Sequence, residues 1–410
     1  MAKIKEDSFD CIVLGTGGIG SAALYFAAQK GWNVLGIDQF DPPHGLGSTH
    51  GHTRIIRTAY FEHPAYVPLA RQARQLWDSI QAQIGQELLV QTGLLQVGDA
   101  SGDFVAGLMQ SINAYQLPVR ILSPAEASEL WPTFRIDQQQ VAIVEDSAGY
   151  LKVEDCVAAC LDLAKGAGAK HLANTRVIRW QKASQIEVET DQGKFLTDRL
   201  IICGGAWSSR LLKQESLDLS IRRKSQFWFE AASQDPRVDE LKKLPTWFFE
   251  TDQGCFYGFP FDENVGLKVA EHTGGQAIED PSEVDREIHQ EDLDRVTDFI
   301  HDRFRGFDFR LRSHSVCMYT MTPDEHFVID RMKVTDRTNS AAEIADPSGH
   351  QALDQPCPNE STDLPIVFAA GMSGHAFKFA PVIGKQLVDL LVGESNPDME
   401  FLKLESSRGS

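Results

Sequence analysis

The chain has 410 residues and a formal net charge of −19, and this length exceeds what one compact core holds, so we expect two domains or one elaborated domain. Its hydrophobic content of 42% is ordinary for a globular protein, and no apolar run approaches the roughly 20 residues of a membrane helix. The negative charge disfavours nucleic acid and anionic membranes as partners, so an anionic ligand requires a locally positive pocket.

The cysteines and the first residues predict the compartment. The seven cysteines are scattered and odd in number, which does not indicate a disulfide framework. The N-terminal residues lead into a strand without the apolar segment of a signal peptide. We therefore expect a cytoplasmic protein.

A strand, a glycine-rich turn, a helix and a second strand come first along the chain. Residues 9–14 (FDCIVL) have the short, apolar and β-branched pattern of a buried parallel strand. The turn GTGGIG at residues 15–20 leads into an alanine-rich helix over residues 21–30, and residues 32–38 form the next strand. This is the βαβ unit that binds dinucleotides in doubly wound proteins.

Individual residues of this unit indicate how a dinucleotide binds. Gly15, Gly17 and Gly20 permit a tight turn and let a pyrophosphate approach the free N–H groups of the helix. Asp38 ends the second strand, where it is placed to accept hydrogen bonds from a ribose. The glycines are a weak signal alone, but together with the strand, the helix and the terminal acid they predict a dinucleotide site.

Later segments resemble further parts of the same domain. Residues 153–166 predict an amphipathic helix, and buried strands run into glycines at residues 200–207 and 365–371. The other predicted elements are strands over residues 170–180, 186–190 and 195–203, the last two in a small meander, and a helix over residues 381–392.

These patterns predict an α/β fold with two domains. A Rossmann-like domain contains three separated pieces, and an α+β domain built on a sheet, richer in aromatic residues and alternating patterns, caps it. Residues 333–363 are polar throughout, and we interpret them as a surface insertion. The Rossmann-like domain comprises residues 1–83, 146–218 and 323–410, and the sheet domain comprises residues 84–145 and 219–322.

Short blocks spread over nearly the whole chain match one known family. The most specific are CMYT at residues 317–320 and GHAFKF at residues 374–379. With these blocks the chain resembles the monomeric sarcosine oxidase and N-methyltryptophan oxidase family, of which pipecolate oxidase is a relative. The other matching blocks are residues 38–44, 47–57, 92–95, 204–207, 257–260, 266–268 and 324–330.

The resemblance implies an enzyme class. Members are FAD enzymes of the D-amino-acid-oxidase-like type, with a Rossmann-like FAD domain of the glutathione-reductase type. They oxidise the C–N bond of a secondary or tertiary amino acid and pass the electrons to oxygen, producing hydrogen peroxide. We therefore expect a small amino-acid substrate, oxygen as the second substrate, and a monomer.

The resemblance also implies a cofactor site. FAD would be covalently attached through Cys317, and Arg54 would lie close to the flavin ring. The other positions that match cofactor-binding residues are Gly15, Gly17, Gly20, Asp38, Ser48, His50, Val177, Trp207, Tyr319, Gly374, His375 and Lys378.

Five positions match residues that act on the substrate or on oxygen. Arg57 and Lys378 would bind the substrate carboxylate, and two cations on one carboxylate would orient the amine over the flavin. Lys268 would place its charge beside the flavin and stabilise the superoxide formed from oxygen. His272 and Tyr257 would line the pocket and orient the substrate.

Judged from the residues alone, the two arginines and Lys378 also have structural interpretations. Arg54 and Arg57 are three apart, which places them on the same side of a helix but on opposite sides of a strand. In an acidic protein both could form ion pairs. Lys378 could extend to solvent.

Lys268 and Cys317 have structural interpretations as well. Lys268 could be an edge-strand lysine, and in a strand its neighbours Leu267 and Val269 face the opposite side. Cys317 could be a small buried hydrophobic residue. Only a structure can decide between these interpretations and the roles that the resemblance implies.

Departures from the family leave the substrate open. Thr49 stands where the family often has the first of two histidines. Met372 and Ala376 replace an aromatic residue and a glycine near the flavin. The substrate is therefore expected to be an N-methyl or other secondary amino acid of the sarcosine type, with pipecolate or N-methyltryptophan as alternatives.

Two other functions compete with an amine oxidase. An NAD-dependent dehydrogenase would use the glycine turn but leaves Cys317 and the block at residues 371–379 without a role. A non-catalytic flavoprotein would not need Arg57, Lys268 and Lys378 together. The twelve histidines show no metal-binding pattern, so we expect no metal site.

Overall fold

The structure is a computed structural model that describes residues 7–215, 217–231, 237–332 and 365–404. The predicted insertion at residues 333–363 lies outside the described residues. The strands in the described part are β1 (Asp7–Phe9), β2 (Cys11–Leu14), β3 (Val34–Ile37), β4 (Thr53–Ile56), β5 (Leu89–Val90), β6 (Leu94–Asp99), β7 (Arg120–Leu122), β8 (Gln140–Glu145), β9 (Gly149–Lys152), β10 (Lys170–Leu172), β11 (Val177–Lys182), β12 (Ile186–Thr190), β13 (Gly193–Thr197), β14 (Leu200–Ile202), β15 (Ser220–Ala231), β16 (Thr246–Thr251), β17 (Gly254–Gly258), β18 (Leu267–Glu271), β19 (Ala277–Ile278), β20 (Phe309–Met321), β21 (Val328–Arg331) and β22 (Ile366–Ala370). The α-helices are α1 (Gly18–Gln29), α2 (Tyr66–Ile84), α3 (Asp103–Tyr115), α4 (Pro124–Leu130), α5 (Val153–Gly166), α6 (Ser208–Leu211), α7 (Val238–Lys242), α8 (Gln290–Arg303) and α9 (Ala380–Leu391).

The predicted βαβ unit lies at the centre of a parallel sheet. The strand order is β10-β3-β2-β14-β22-β21, and β21 is antiparallel to its neighbour. The strands β2, β3, β14 and β22 are buried along their whole length, as expected for parallel strands covered on both faces. From β2 the chain adds β3 on one side, whereas β14 lies on the other, so the carboxyl ends of β2 and β14 form a switch point where ligands bind.

Helix α1 is fixed between this sheet and two other helices, α5 and α9. Its contact with α9 depends on small residues. A Cβ added at Gly384 of α9 would lie 2.6 Å from the backbone nitrogen of Ala23 and 2.9 Å from the Ala22 side chain. The close packing therefore holds the N-terminus of α1 at the carboxyl edge of the sheet.

Two predicted strands prove to be divided between sheets. The segment 170–180 forms β10 in the parallel sheet and β11 in a second sheet of order β1-β13-β12-β11. Between them Asn174 has a φ of 51°, and the N–H groups of Asn174 and Thr175 donate to the carbonyls of Phe40 and Asp38 over 3.0 and 2.8 Å. The segment 195–203 is likewise split into β13 and β14. The continuous strands predicted there are wrong because long-range hydrogen bonds interrupt a locally uniform pattern.

A large sheet forms the other half of the described structure. Its order is β19-β15-β18-β17-β16-β6-β8-β7, and β20 pairs with β15 along nearly its whole length. Alternation divides its residues between two faces. Leu267 and Val269 of β18 join the hydrophobic cluster that packs against α8, whereas Lys268 between them points to the backbone of Gly51. The predicted alternation at Lys268 is confirmed.

The predicted division into two domains stays a prediction, and the distribution of strands supports it. The strands of the parallel sheet lie in the segments predicted for the Rossmann-like domain, and those of the large sheet lie in the other segments. In a small sheet of order β4-β9-β5, strand β5 of the predicted sheet domain pairs with β9 of the predicted Rossmann-like domain. None of the described helices has the length and apolar character required to cross a membrane.

Candidate active site

Two neighbouring cavities concern the site, and the larger lies at the carboxyl ends of β2 and β14, bordered by the glycine turn. Steric contacts require glycine at two positions. A Cβ at Gly20 would lie 1.7 Å from the carbonyl oxygen of Gly15, and a Cβ at Gly15, whose φ is +80°, would lie 2.3 Å from the Cys203 carbonyl oxygen. At Gly17 the nearest atom, Thr49 Oγ1, is 3.8 Å away, so this position leaves room for a ligand.

The N-terminus of α1 faces this cavity and has no acidic residue in its first turn. The N–H of its first residue, Gly18, donates to Thr49 Oγ1 over 3.3 Å, and the N-cap residue Gly17 contributes no side-chain cap. The free N–H groups and the positive dipole end of α1 favour an anion. The turn and helix therefore fit the pyrophosphate of a dinucleotide.

Asp38 is held at the other side of the glycine turn. Its Oδ2 accepts a hydrogen bond from the Thr16 N–H over 2.7 Å, and its Oδ1 accepts one from the Phe40 N–H over 3.0 Å. Asp38 follows β3 directly and borders the cavity. The carboxylate is thus fixed at the edge where a ribose is expected.

Most predicted cofactor residues border the larger cavity, and four do not. His50 and Cys317 lie behind its wall, and His375 and Lys378 border the smaller cavity instead. Those that border the larger cavity are Gly15, Gly17, Gly20, Asp38, Ser48, Arg54, Val177, Trp207, Tyr319 and Gly374.

Cys317 lies immediately behind the cavity wall on β20. Its side chain is 1% exposed, and its S–H donates to the Ser48 carbonyl over 3.2 Å. Arg54 Nη2 is 3.5 Å from the same sulfur. Ser48, Arg54 and Met318, which follows Cys317 in the chain, all border the cavity. The sulfur therefore contacts residues of the cavity wall without bordering the cavity itself.

The smaller cavity adjoins the larger one, because both are bordered by Arg54, Tyr319, Gly374 and Phe377. Gly374 has a φ of +79°, and a Cβ there would lie 2.3 Å from the Tyr319 ring. Glycine at this turn therefore allows the close approach of the two cavity walls.

Arg57 lies at the end of β4 and borders the smaller cavity together with Arg54. The side chain is buried, and its Nη2 contacts both carboxylate oxygens of Glu62 at 2.6 Å. Its Nη1 donates to Gln96 Oε1 over 2.8 Å, and its guanidinium lies 4.5 Å from the centre of the Tyr60 ring. The interpretation of Arg57 as an ion-pair residue is confirmed by its pairing with Glu62, and the same arginine also borders the smaller cavity.

Lys378 lies in a 3-10 turn just before α9 and is 5% exposed. Its Nζ donates to the His375 carbonyl over 2.6 Å and to the Tyr60 hydroxyl over 3.2 Å. Burial and the nearby Arg57 lower the pKa of Lys378 to about 7. The alternative in which Lys378 extends to solvent is therefore wrong.

Aromatic side chains form another wall of the smaller cavity. His272, Tyr257, Tyr319 and Phe248 all border it, and the Tyr319 hydroxyl is 3.5 Å from His272 Nδ1. Burial lowers the pKa of His272 to about 3, so this ring is neutral. The wall favours an apolar group and offers neutral polar atoms.

Lys268 borders neither cavity among the described residues. Its side chain is 2% exposed, and its Nζ donates to the carbonyls of Gly51 and Thr53 over 2.6 and 3.1 Å. Because β18 lies within the sheet, the edge-strand interpretation is wrong. His50, another predicted cofactor neighbour, is hydrogen-bonded to Ser315, and burial lowers its pKa to about 3.

Several residues of the site were not predicted. Glu62, Gln96 and Tyr60 contact the two candidate carboxylate-binding cations, and Phe248 forms part of the aromatic wall. Glu62 and Tyr60 are close to Arg57 in sequence, so their contact with it could have been predicted from the sequence. Gln96 and Phe248 are far away along the chain, and only the fold reveals them.

A dinucleotide cavity joined to a small cavity with two buried basic side chains fits a dinucleotide-dependent enzyme with an anionic substrate, and the comparisons identify the family. Residues 10–390 match the model of the DAO family, described as FAD-dependent oxidoreductase. The chain therefore belongs to this family and is an FAD-dependent oxidoreductase. The predicted enzyme class and fold class are confirmed, and the NAD-dependent alternative is set aside.

Curated relatives match over nearly the whole chain. Monomeric sarcosine oxidase of Bacillus sp. (strain B-0618) is 35% identical over 401 residues, covering 97% of this chain and 95% of the relative. N-methyl-L-tryptophan oxidase of Yersinia pestis (strain Pestoides F) is 34% identical over 382 residues, covering 92% of this chain and 93% of the relative. The predicted resemblance is confirmed.

Solved structures confirm the fold. NikD, an unusual amino acid oxidase essential for nikkomycin biosynthesis, superposes with a TM-score of 0.78 at 20% identity and covers 97% of both chains. L-proline dehydrogenase from P. horikoshii gives a TM-score of 0.79 at 19% identity and covers 99% of both chains. The individual roles predicted for the site residues stay predictions.

Proposed function

We propose that the chain oxidises the C–N bond of an N-methyl or other secondary amino acid, using oxygen and releasing hydrogen peroxide. The observation that carries this proposal is the pair of buried basic side chains, Arg57 and Lys378, beside a cavity that adjoins the dinucleotide cavity. The two similar relatives are named as oxidases of sarcosine and N-methyl-L-tryptophan, which supports the same substrate class.

The cations are proposed to orient the substrate. A carboxylate between Arg57 and Lys378 would be held by charge-assisted hydrogen bonds in a site shielded from water. The amine and its substituent would then extend toward the aromatic wall and the residues shared with the larger cavity. FAD, when bound, supplies the acceptor for the two electrons removed from the carbon next to nitrogen.

Lys268 is proposed to serve the oxygen reaction. It is a buried lysine that donates only to backbone carbonyls among the described residues. A lysine ammonium in a low-dielectric setting stabilises a developing oxygen anion strongly. Tyr257 and His272 are proposed to contact the substrate's amine side.

A substrate panel tests the function. Peroxide release is measured with sarcosine, N-methyltryptophan, pipecolate, proline and the matching primary amino acids, and we expect turnover with at least one secondary amino acid. An N-acetyl amino acid, which keeps the carboxylate but has no basic amine, is the matched control. Inactivity with every secondary amino acid in the panel would contradict the proposal.

Cys317 is proposed as the covalent attachment site of FAD. The support is the short separation of its sulfur from Arg54 and Ser48, which border the cofactor cavity. We expect acid-precipitated wild-type protein to keep its yellow colour and Cys317→Ser protein to release FAD into the supernatant. Cys203→Ser, a change at a cavity-lining cysteine, is the control and should keep the bound flavin. Complete release of FAD by the wild type would refute the attachment.

A monomer and a cytoplasmic location remain predictions that accompany this function. The size-exclusion profile of the purified protein tests the first, and fractionation of the producing cells tests the second.

A further inference from the structure

Lys378 is a buried amine without a carboxylate partner within the described part of the chain. The carboxylate nearest to the pair of cations, Glu62, is engaged by Arg57 through both oxygens. The groups that face Lys378 are Arg57, Glu62, Tyr60 and His375. A charge on Lys378 is disfavoured by burial and by Arg57, and it is favoured by Glu62, which Arg57 already engages; a second anion in the cavity would favour it further.

The donor and the acceptor of each hydrogen bond around Lys378 can be assigned. His375 Nε2 is 3.1 Å from the carbonyl oxygen of Glu325, and because a carbonyl only accepts, Nε2 carries the ring proton. Burial holds the pKa of His375 well below its ordinary value, so the ring is neutral and its Nδ1 accepts. The Tyr60 O–H, 2.8 Å from Nδ1, is therefore the donor.

Because the Tyr60 O–H donates to His375 Nδ1, the Tyr60 oxygen is an acceptor for the Lys378 N–H. Two N–H groups of Lys378 are used, one on Tyr60 and one on the His375 carbonyl. The third position of the nitrogen is then free for the cavity that Lys378 borders. That position holds a lone pair in an amine and an N–H in an ammonium.

We propose that Lys378 is an uncharged amine in the empty site and takes up the proton that the substrate's ammonium group loses when the carboxylate binds, with Tyr60 and His375 as positioning residues. This inference rests on the proposed function. One N–H bond of the substrate breaks and one N–H bond forms on Lys378, and no electrons are transferred. The result is a neutral substrate amine and an ammonium–carboxylate pair, and Lys378 returns its proton to solvent after the product leaves.

Other titratable groups surround His375 and Lys378. Glu62 Oε1 is 3.9 Å from His375 Nδ1, the Tyr66 ring lies 5.4 Å from the His375 ring between centroids, and the charge of a protonated His326 would lower the pKa of His375. The pKa of Lys378, lowered to about 7 by burial and then by Arg57, makes the empty-site amine the main form at alkaline pH. A bound carboxylate raises this pKa because it stabilises the ammonium.

Proton uptake on binding of acetate, a carboxylate without an amine, tests the proposal. Acetate is mixed with the FAD-containing enzyme in weak buffer with a pH indicator, and binding is followed by the flavin absorbance. We expect uptake close to one proton per site at about pH 8.5 and little uptake at about pH 5.5. Sarcosine mixed without oxygen should give no net uptake in its binding phase, because its own ammonium supplies the proton.

Two variants locate the proton. Lys378→Arg keeps a cation for acetate but is permanently charged, so acetate should bind without uptake. Tyr60→Phe removes the acceptor of one Lys378 N–H and should move the midpoint of uptake to lower pH, whereas Tyr115→Phe, a distant control, should leave it unchanged. Acetate binding without uptake by the wild type, or uptake that persists in Lys378→Arg, overturns the proposal even if secondary amino acids are oxidised. Failure of the substrate panel instead overturns the proposed function.

Discussion

At the scale of single residues, the site concentrates buried basic side chains in a chain with a net charge of −19. Arg54, Arg57 and Lys378 border the smaller cavity from β4, the end of β4 and the turn before α9, and Lys268 of β18 is buried without bordering either cavity. Low dielectric surroundings strengthen their interaction with an anion and make the unpaired charge unfavourable. The site therefore attracts a carboxylate that the surface as a whole repels.

Glu62 competes with the substrate for Arg57. Both Glu62 carboxylate oxygens lie 2.6 Å from Arg57 Nη2, so a substrate carboxylate that binds at this nitrogen competes with Glu62. We expect Glu62→Gln to tighten acetate binding by about tenfold, equivalent to about 1.4 kcal/mol, because the competing charge is gone. Titration of the flavin absorbance measures this, and Glu62→Asp, which keeps the charge, is the control. Weaker binding by Glu62→Gln would show that Glu62 supports the arginine rather than competing with the ligand.

Lys268 predicts the pH dependence of the oxygen reaction. Burial holds the pKa of Lys268 well below its ordinary value, so the cation is present below the shifted pKa and lost above it. Reoxidation of reduced enzyme by oxygen should therefore slow as pH rises. Lys268→Met should slow reoxidation by about 100-fold, and Lys268→Arg should keep part of the rate and lose the pH dependence. Stopped-flow mixing with oxygen measures both, and a rate in Lys268→Met equal to that of wild type would contradict the role.

At the scale of elements, alternation along strands of the large sheet separates core from site. Phe227 and Phe229 of β15 pack into the hydrophobic cluster against α8. Lys224 of the same strand points to the opposite face, where it donates to the Thr273 carbonyl over 2.6 Å. Strand β18 shows the same separation at Lys268. A two-residue period thus directs these polar groups to the face of the sheet opposite the hydrophobic cluster, so the core stays apolar.

The turn before α1 allows a matched pair of substitutions. Gly20→Ala would place a Cβ 1.7 Å from the Gly15 carbonyl oxygen, so we expect a loss of several kcal/mol in unfolding free energy together with loss of FAD. Gly17→Ala meets no protein atom closer than 3.8 Å, so apoprotein stability should change by less than about 0.5 kcal/mol while FAD binding weakens. Urea unfolding and flavin content measure the two effects. Equal destabilisation by both substitutions would contradict this interpretation of the turn.

At the scale of the whole molecule, the cofactor cavity connects the two large sheets. Leu14 and Ala370 come from the parallel sheet, and Tyr319 and Thr320 come from β20 of the large sheet. A ligand in this cavity contacts both, so its binding free energy stabilises their association.

Removal of FAD should therefore lower the stability of the whole chain. In Cys317→Ser protein freed of flavin, we expect a lower Tm, and added FAD at 100 times its Kd should restore about 2.7 kcal/mol. Differential scanning calorimetry with and without FAD measures the change, and riboflavin, which lacks the pyrophosphate and adenosine, is the matched control ligand. An unchanged Tm in the presence of FAD would contradict the connecting role.

The sequence alone determined the elements whose signals are local. The βαβ unit, α5 over residues 153–166, β12 over residues 186–190 and the alternation at Lys268 were predicted because strand and helix periods and glycine sterics act over a few residues. The family blocks added the enzyme class and the expected site residues.

Only the tertiary structure decided which distant groups meet. The contact of Gln96 with Arg57, the hydrogen bonds of Tyr60 with His375 and Lys378, and the division of residues 170–180 between two sheets all depend on contacts far apart in sequence. Such contacts follow from how the sheets pack against each other, and a local pattern carries no information about the partner across the interface. The family resemblance implied that Arg57 and Lys378 bind a carboxylate, and the fold showed that Arg57 is already paired with Glu62 whereas Lys378 has no carboxylate partner in the described part of the chain.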